Sequence, residues 1–149
     1  MSIDQSYNFR RIDERITTSG VVPREVLEQL REQGIEVVIN LLPHDSDYAV
    51  PGEADLVTRQ GIEYVYIPVD FSAPSVADFR AFSAAMDSAR EKKVHLHCAA
   101  NFRVSAFVGA WSVQQGYWSR QEADAFIADL WNPLEHLAWP EFINQLARA

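Results

Sequence analysis

The chain holds a single cysteine, Cys98, in the run His97-Cys98-Ala99-Ala100-Asn101-Phe102-Arg103-Val104-Ser105. An apolar strand leads into that run, a turn of small residues follows, and a helix begins within it. A cysteine so placed meets the unpaired N–H groups of a helix start and the positive end of its dipole. Both favour thiolate over thiol. The same N–H groups can cradle a tetrahedral oxyanion, and an arginine in the loop, Arg103, can grip it with two parallel hydrogen bonds. Asn101 is a residue type that tolerates the left-handed backbone a tight anion loop demands. A lone cysteine more often just fills core space. The small residues Ala99 and Ala100, together with Asn101 and Arg103, make this one read as a pocket instead.

Positioning such a loop requires a strand before it and a helix after it, and the flanking sequence supplies both. Apolar runs at 36–41, 63–67 and 93–97 read as buried strands. Helices are expected at 23–33, opened by Pro23 and closed by Gly34, and at 53–60, closed by Gly61. A third should run over 76–90 from a capping pair, Ser75 with Asp78. A fourth is expected over 104–115, and a fifth over 120–130 from Ser119 with Glu122. A last helix should begin at Pro140 and reach 147. Helices alternating with apolar strands predict an α/β fold: a central, mostly parallel sheet of about four to five strands flanked by helices. Ligands of such sheets bind beyond the carboxyl ends of the strands. Cys98, Asp70 and the 43–51 loop all fall there.

Length and charge narrow the function classes. The 149 residues, 48% of them hydrophobic, suit one domain spanning 1–149. A net charge of -8 with no basic stripe argues against a nucleic-acid partner. One cysteine forms no intrachain disulfide, which points to a reducing compartment. The start Met1-Ser2-Ile3-Asp4-Gln5-Ser6 lacks the pattern of a signal peptide, and no apolar run approaches membrane length. A cytoplasmic protein without a membrane partner is the expectation, its oligomeric state left open. The scattered His44, His95, His97 and His136 suggest no metal site.

His97-Cys98, a short loop, an arginine and Ser105 resemble the active-site run of the cysteine-dependent tyrosine and dual-specificity phosphatases, closest to their small bacterial members. That family's pattern is His-Cys, two residues, Gly, two residues, Arg, then Ser or Thr. Val38-Ile39-Asn40-Leu41 is similar to the family's second strand, and Tyr66-Ile67-Pro68-Val69 to the segment before its acid loop. The order of elements fits from residue 16 to residue 130. Aligned from Cys98, Asn101 takes the Gly position and Ser105 the Ser/Thr position. Arg103, however, arrives one residue early, and Val104 stands at the Arg position. Near a helix start one residue is a rotation of about 100°. Either the loop winds differently to bring Arg103 over the anion, or the clamp is weaker.

The resemblance implies a phosphatase-like fold hydrolysing a phosphorylated protein or a small phosphoester, with no metal or other cofactor. Cys98 would attack phosphorus, forming a phosphocysteine intermediate. Backbone amides of residues 99–104 (Ala99, Ala100, Asn101, Phe102, Arg103 and Val104) and the Arg103 side chain would hold the equatorial oxygens. Asp70 would be the general acid, Ser105 would hydrogen-bond the thiolate, and His97 would support the loop. Read from residues alone, Asp70 is equally a turn carboxylate, and its rival Asp78 fits a helix cap better. Asp45, Asp47 and Glu53 read as a solvated rim, and Trp111, Trp118, Trp131 and Trp139 as core.

Two rival readings stand beside this one. Rhodanese-like sulfurtransferases also place a cysteine before an anion loop, and some carry Arg five residues later, as Arg103 stands here. The His-Cys pair, Ser105 and the 67–70 segment favour the phosphatase side. The other rival is a catalytically inactive domain that binds phosphate or a phosphoprotein.

Overall fold

The computed structural model describes residues 2–148. Ile16–Ser19 (β2), Val37–Asn40 (β3), Glu63–Tyr66 (β4) and Val94–His97 (β5) are parallel, and Arg10–Arg11 (β1) pairs antiparallel with β2. The strand order is β1-β2-β5-β3-β4, a five-stranded, mostly parallel sheet. Alternation along β3 shows how both faces are used. Val37 and Ile39 join the larger apolar cluster, whereas Val38 joins the smaller one behind the sheet.

The smaller cluster is closed by Arg24–Leu27 (α1) and Glu53–Thr58 (α2), through Val26, Leu27, Leu56 and Val57. The larger is closed by Val76–Ser88 (α3), Phe102–Gln114 (α4), Arg120–Leu130 (α5) and Ala138–Arg148 (α6). Phe79 and Phe82 of α3 meet Phe107 of α4 edge to face, with centroids 5.6 and 5.5 Å apart. Burying each such ring contributes roughly 1.5–3 kcal/mol.

Helices α2 and α3 end two residues short of expectation, at Thr58 and Ser88, and three other helix boundaries differ for a clear local reason. The helix after Pro23 breaks at Leu27 because Gln60 inserts its side chain there. Its Nε2 donates to the Leu27 carbonyl at 2.7 Å and its Oε1 accepts from Arg31 N at 3.1 Å, replacing the helical bond between them. The chain closes through a 3-10 turn at Arg31–Gln33. Helix α4 starts two residues early because Asn101, at φ 72°, turns the chain and its carbonyl accepts from Ser105 N. Helix α6 starts at Ala138, leaving Pro140 in the first turn, where no N–H is needed. The capping box of Ser119 with Glu122 forms as expected.

β2 was not foreseen, because its interior is polar. Thr17, Thr18 and Ser19 are all buried. They bond to side chains across the sheet: Thr17 Oγ1 and Ser19 Oγ each lie 2.8 Å from a ring nitrogen of His95. The register aligns Ser19, His97, Asn40 and Tyr66 in one row. The residues that follow them, Gly20, Cys98, Leu41 and Ile67, therefore leave the sheet along one edge.

Candidate active site

The Cys98 loop is held by its carbonyls. Val21 N donates to the Ala99 carbonyl at 2.9 Å, and Asn8 Nδ2 donates to the Ala100 carbonyl at 3.0 Å. A trans peptide points its N–H opposite its carbonyl, so the amides of Ala100 and Asn101 face away from those anchors. Asn101 is fully buried, and its Nδ2 donates to the Asn8 carbonyl and to Thr18 Oγ1, both at 2.9 Å. Among the described residues, none of the amides of 99–104 donates a hydrogen bond within the chain. Buried or half-buried amides in that state are rare unless they await an acceptor. Free amides gathered at the start of α4 form a cradle of the kind that can hold an anion.

Cys98 stands fully buried at the root of the cradle. Arg103 is half-buried, and its Nε donates to the Val69 carbonyl at 2.9 Å. Its guanidinium carbon lies 5.1 Å from the centre of the Phe71 ring. One edge of the guanidinium is thus pinned, and the terminal nitrogens make no hydrogen bond or ion pair among the described residues. Arg103 lines two adjoining clefts. One, of about 720 Å³, also touches Ala99, Ala100, Phe102 and the exposed Tyr7 and Tyr48. The other, of about 740 Å³, touches Asp70, His44 and Tyr66. The early arginine is therefore brought to the mouth of the cradle by its tie to the segment before Asp70.

Asp70 is exposed, and its Oδ1 accepts from Ser72 N at 2.9 Å, leaving the second oxygen free in the cleft. Of the capping box expected at the start of α3 only one half forms: the Asp78 backbone N–H donates to Ser75 Oγ at 3.1 Å, and the Asp78 carboxylate makes no hydrogen bond among the described residues. Phe71 is anchored from behind, its carbonyl accepting from Trp139 Nε1 at 2.8 Å. Trp131 stacks on Phe102 at 4.8 Å. These tryptophans are core residues, as read from sequence, and they also join the Phe71 segment to the start of α4.

Two sequence expectations are corrected. Ser105 makes no hydrogen bond to Cys98 among the described residues. Its Oγ donates to the Phe102 carbonyl at 2.7 Å and accepts from Trp131 Nε1 at 2.9 Å. With helix α4 starting at Phe102, Ser105 has already turned toward α5. Glu53 is no solvated rim residue either, unlike the exposed Asp45 and Asp47. It is only 4% exposed, because the left-handed turn at Gly52 (φ 74°) drives the first residue of α2 inward beneath β5. There its Oε2 lies 2.6 Å from His97 Nε2 and accepts from the Tyr64 hydroxyl at 2.9 Å. Burial alone pushes the Glu53 carboxyl up, but the charge and hydrogen bonds of its partners outweigh this and hold it below the usual carboxylate value. Burial first, and the Glu53 charge second, push the Tyr64 hydroxyl far up.

Residues 4–131 match a family described as DSP-PTPase phosphatase fused to NAD+ kinase. The chain belongs to this phosphatase family. A beta-lactamase hydrolase-like protein of Agrobacterium fabrum is 29% identical over 119 residues, which is 78% of this chain and 27% of that one. The chain thus spans about a quarter of the length of the curated relatives it matches. The crystal structure of a DUF442 protein from Shewanella putrefaciens CN-32 superposes with a TM-score of 0.87 at 33% identity, covering 98% of this chain and 95% of that one. TpbA of P. aeruginosa, solved with pTyr, shares the fold at 15% identity and a TM-score of 0.73, covering 99% and 93%. The fold and the cysteine-phosphatase family expected from sequence are both found. No helix among the described residues is long and apolar enough to cross a membrane.

Proposed function

We propose that this phosphatase-family domain hydrolyses phosphomonoesters through a phosphocysteine intermediate. The observation that supports this best is the cradle: six consecutive amides, residues 99–104, without acceptors, rooted at Cys98 and with the free end of Arg103 at its mouth. In the first step the Cys98 thiolate attacks phosphorus and the bond to the leaving oxygen breaks. Asp70 gives that oxygen a proton. In the second step water attacks the same phosphorus, Asp70 takes its proton, and the sulfur–phosphorus bond breaks to regenerate thiolate and phosphate. The amides and the Arg103 guanidinium stabilise the equatorial oxygens in both steps. Ser105 acts at a distance, tying the first turn of α4 to Trp131. The cytoplasm, a reducing compartment, suits a mechanism that needs a free thiolate.

An aryl phosphate offered beside thiosulfate and cyanide tests this reading. Phosphate release that is lost in Cys98→Ser supports it. Thiocyanate formation without phosphate release would assign the site to sulfur transfer instead. Phosphate binding without any turnover would make the domain a binding module.

A further inference from the structure

We propose that Glu53 is a positioning residue of this site, holding His97 as a doubly protonated ring directly behind the Cys98 peptide. The inference rests on the phosphatase reading for its purpose, but on geometry for its content. His97 is buried, and each of its ring nitrogens faces an acceptor. Nε2 lies 2.6 Å from the Glu53 carboxylate, and Nδ1 lies 3.3 Å from the Cys98 carbonyl oxygen. A neutral imidazole carries one N–H, so it would set a lone pair against one of those oxygens. Two protons satisfy both contacts and leave a positive ring adjoining the nucleophile's own peptide.

The surrounding groups are arranged to keep that charge. Asn40 Nδ2 donates to the Tyr64 hydroxyl at 2.9 Å, and His44 Nε2 lies 3.0 Å from the same oxygen. The Tyr64 proton is therefore free to go to Glu53, which receives donors from both sides. The other titratable neighbour is His95, on the same face of β5, with its ring centre 6.3 Å from that of His97. Ser19 Oγ donates to the Gly20 carbonyl at 2.8 Å and so accepts from His95 Nε2, while Thr17 Oγ1 lies 2.8 Å from His95 Nδ1. Burial first and the His97 charge second push His95 down, which keeps it neutral and lets its bare Nδ1 accept from Thr17 Oγ1. One ring of the pair is charged, and it is the ring paired with Glu53. A buried ion pair with these supporting donors has a clear use here: it places a fixed cation where a thiolate forms.

Because Cys98 is the chain's only cysteine, its thiolate is read directly by ultraviolet absorbance against a Cys98→Ser blank. Glu53→Gln keeps the size of the side chain and removes its charge. The thiolate absorbance should then develop at a pH higher by roughly one unit than in wild type. Tyr64→Phe, which removes one donor from Glu53, should move it in the same direction by less. In a His97→Gln background, Glu53→Gln should add no further shift. An unchanged or downward thiolate titration in folded Glu53→Gln overturns the proposal. So does a full extra shift in the His97→Gln background. The absorbance reads the thiol whether or not phosphate is released, so failure of the phosphatase reading and failure of this proposal remain distinguishable.

Discussion

Gly20 and Ala99 are packed so closely that a Cβ on Gly20 would sit 2.3 Å from the Ala99 carbonyl oxygen and 2.8 Å from Ala100 Cα. Both contacts are with backbone, so no side chain can swing aside. The approach is what lets the neighbouring Val21 amide hold the Ala99 carbonyl and turn the next N–H into the cradle. Gly20→Ala should therefore displace the loop itself. We expect a loss of about 1–3 kcal/mol in chemical denaturation and a fall in phosphate affinity larger than the stability loss explains. Equilibrium denaturation and phosphate titration on the same variant check both.

Asn101 performs two tasks that substitutions separate. Its backbone is left-handed, at φ 72°, and its buried amide bridges Asn8 and Thr18. Asn101→Ala loses both hydrogen bonds and strains the turn, at roughly 2–4 kcal/mol. Asn101→Gly loses the bonds but suits the turn, and should be milder by roughly 1 kcal/mol. The order of denaturation midpoints, wild type then Gly then Ala, is the readout.

His95 sets part of the pH dependence of stability. Its folded value lies well below the ordinary 6.5, through burial first and the charge of His97 second. As pH falls, the unfolded chain takes up this proton before the folded chain does. The contribution is complete above about pH 6.5 and is lost progressively as pH drops toward the lower folded value. Glu53 acts in the same direction, but only below its ordinary value of 4.5. Thermal melts at intervals between those two values should show stability falling by up to roughly 1.4 kcal/mol per pH unit. His95→Gln should flatten that slope.

Arg103 holds the Val69 carbonyl with one nitrogen and offers the others to the cleft. Lysine has the charge but no fork to do both. Arg103→Lys should lower kcat/KM toward an aryl phosphate by about 10²–10³, with a change in melting stability within about 1 kcal/mol. Kinetics and melts on one preparation test this.

Much of the fold was legible because β3 and β5 are apolar runs and because Ser119 and Glu122 are local signals. The cradle was legible for the same reason, since Cys98 to Ser105 is contiguous and needs no distant partner to be noticed. β2 escaped because Thr17, Thr18 and Ser19 are stabilised by His95 and Asn101, far away in sequence, rather than by apolar alternation. Glu53 escaped because an acidic residue after Pro-Gly looks solvated until Gly52 turns it under the sheet. The role expected of Ser105 failed on two residues of helix start, a displacement that Asn101 decides through its backbone and that spacing alone does not reveal.

The central claim is a covalent phosphoryl group on Cys98. Wild type mixed rapidly with an aryl phosphate, quenched in acid and digested, should yield the Cys98 peptide carrying one phosphoryl group, rising and then decaying as substrate is consumed, and absent in Cys98→Ser. Continued release of phosphate with no such adduct, or at the wild-type rate from Cys98→Ser, would contradict it.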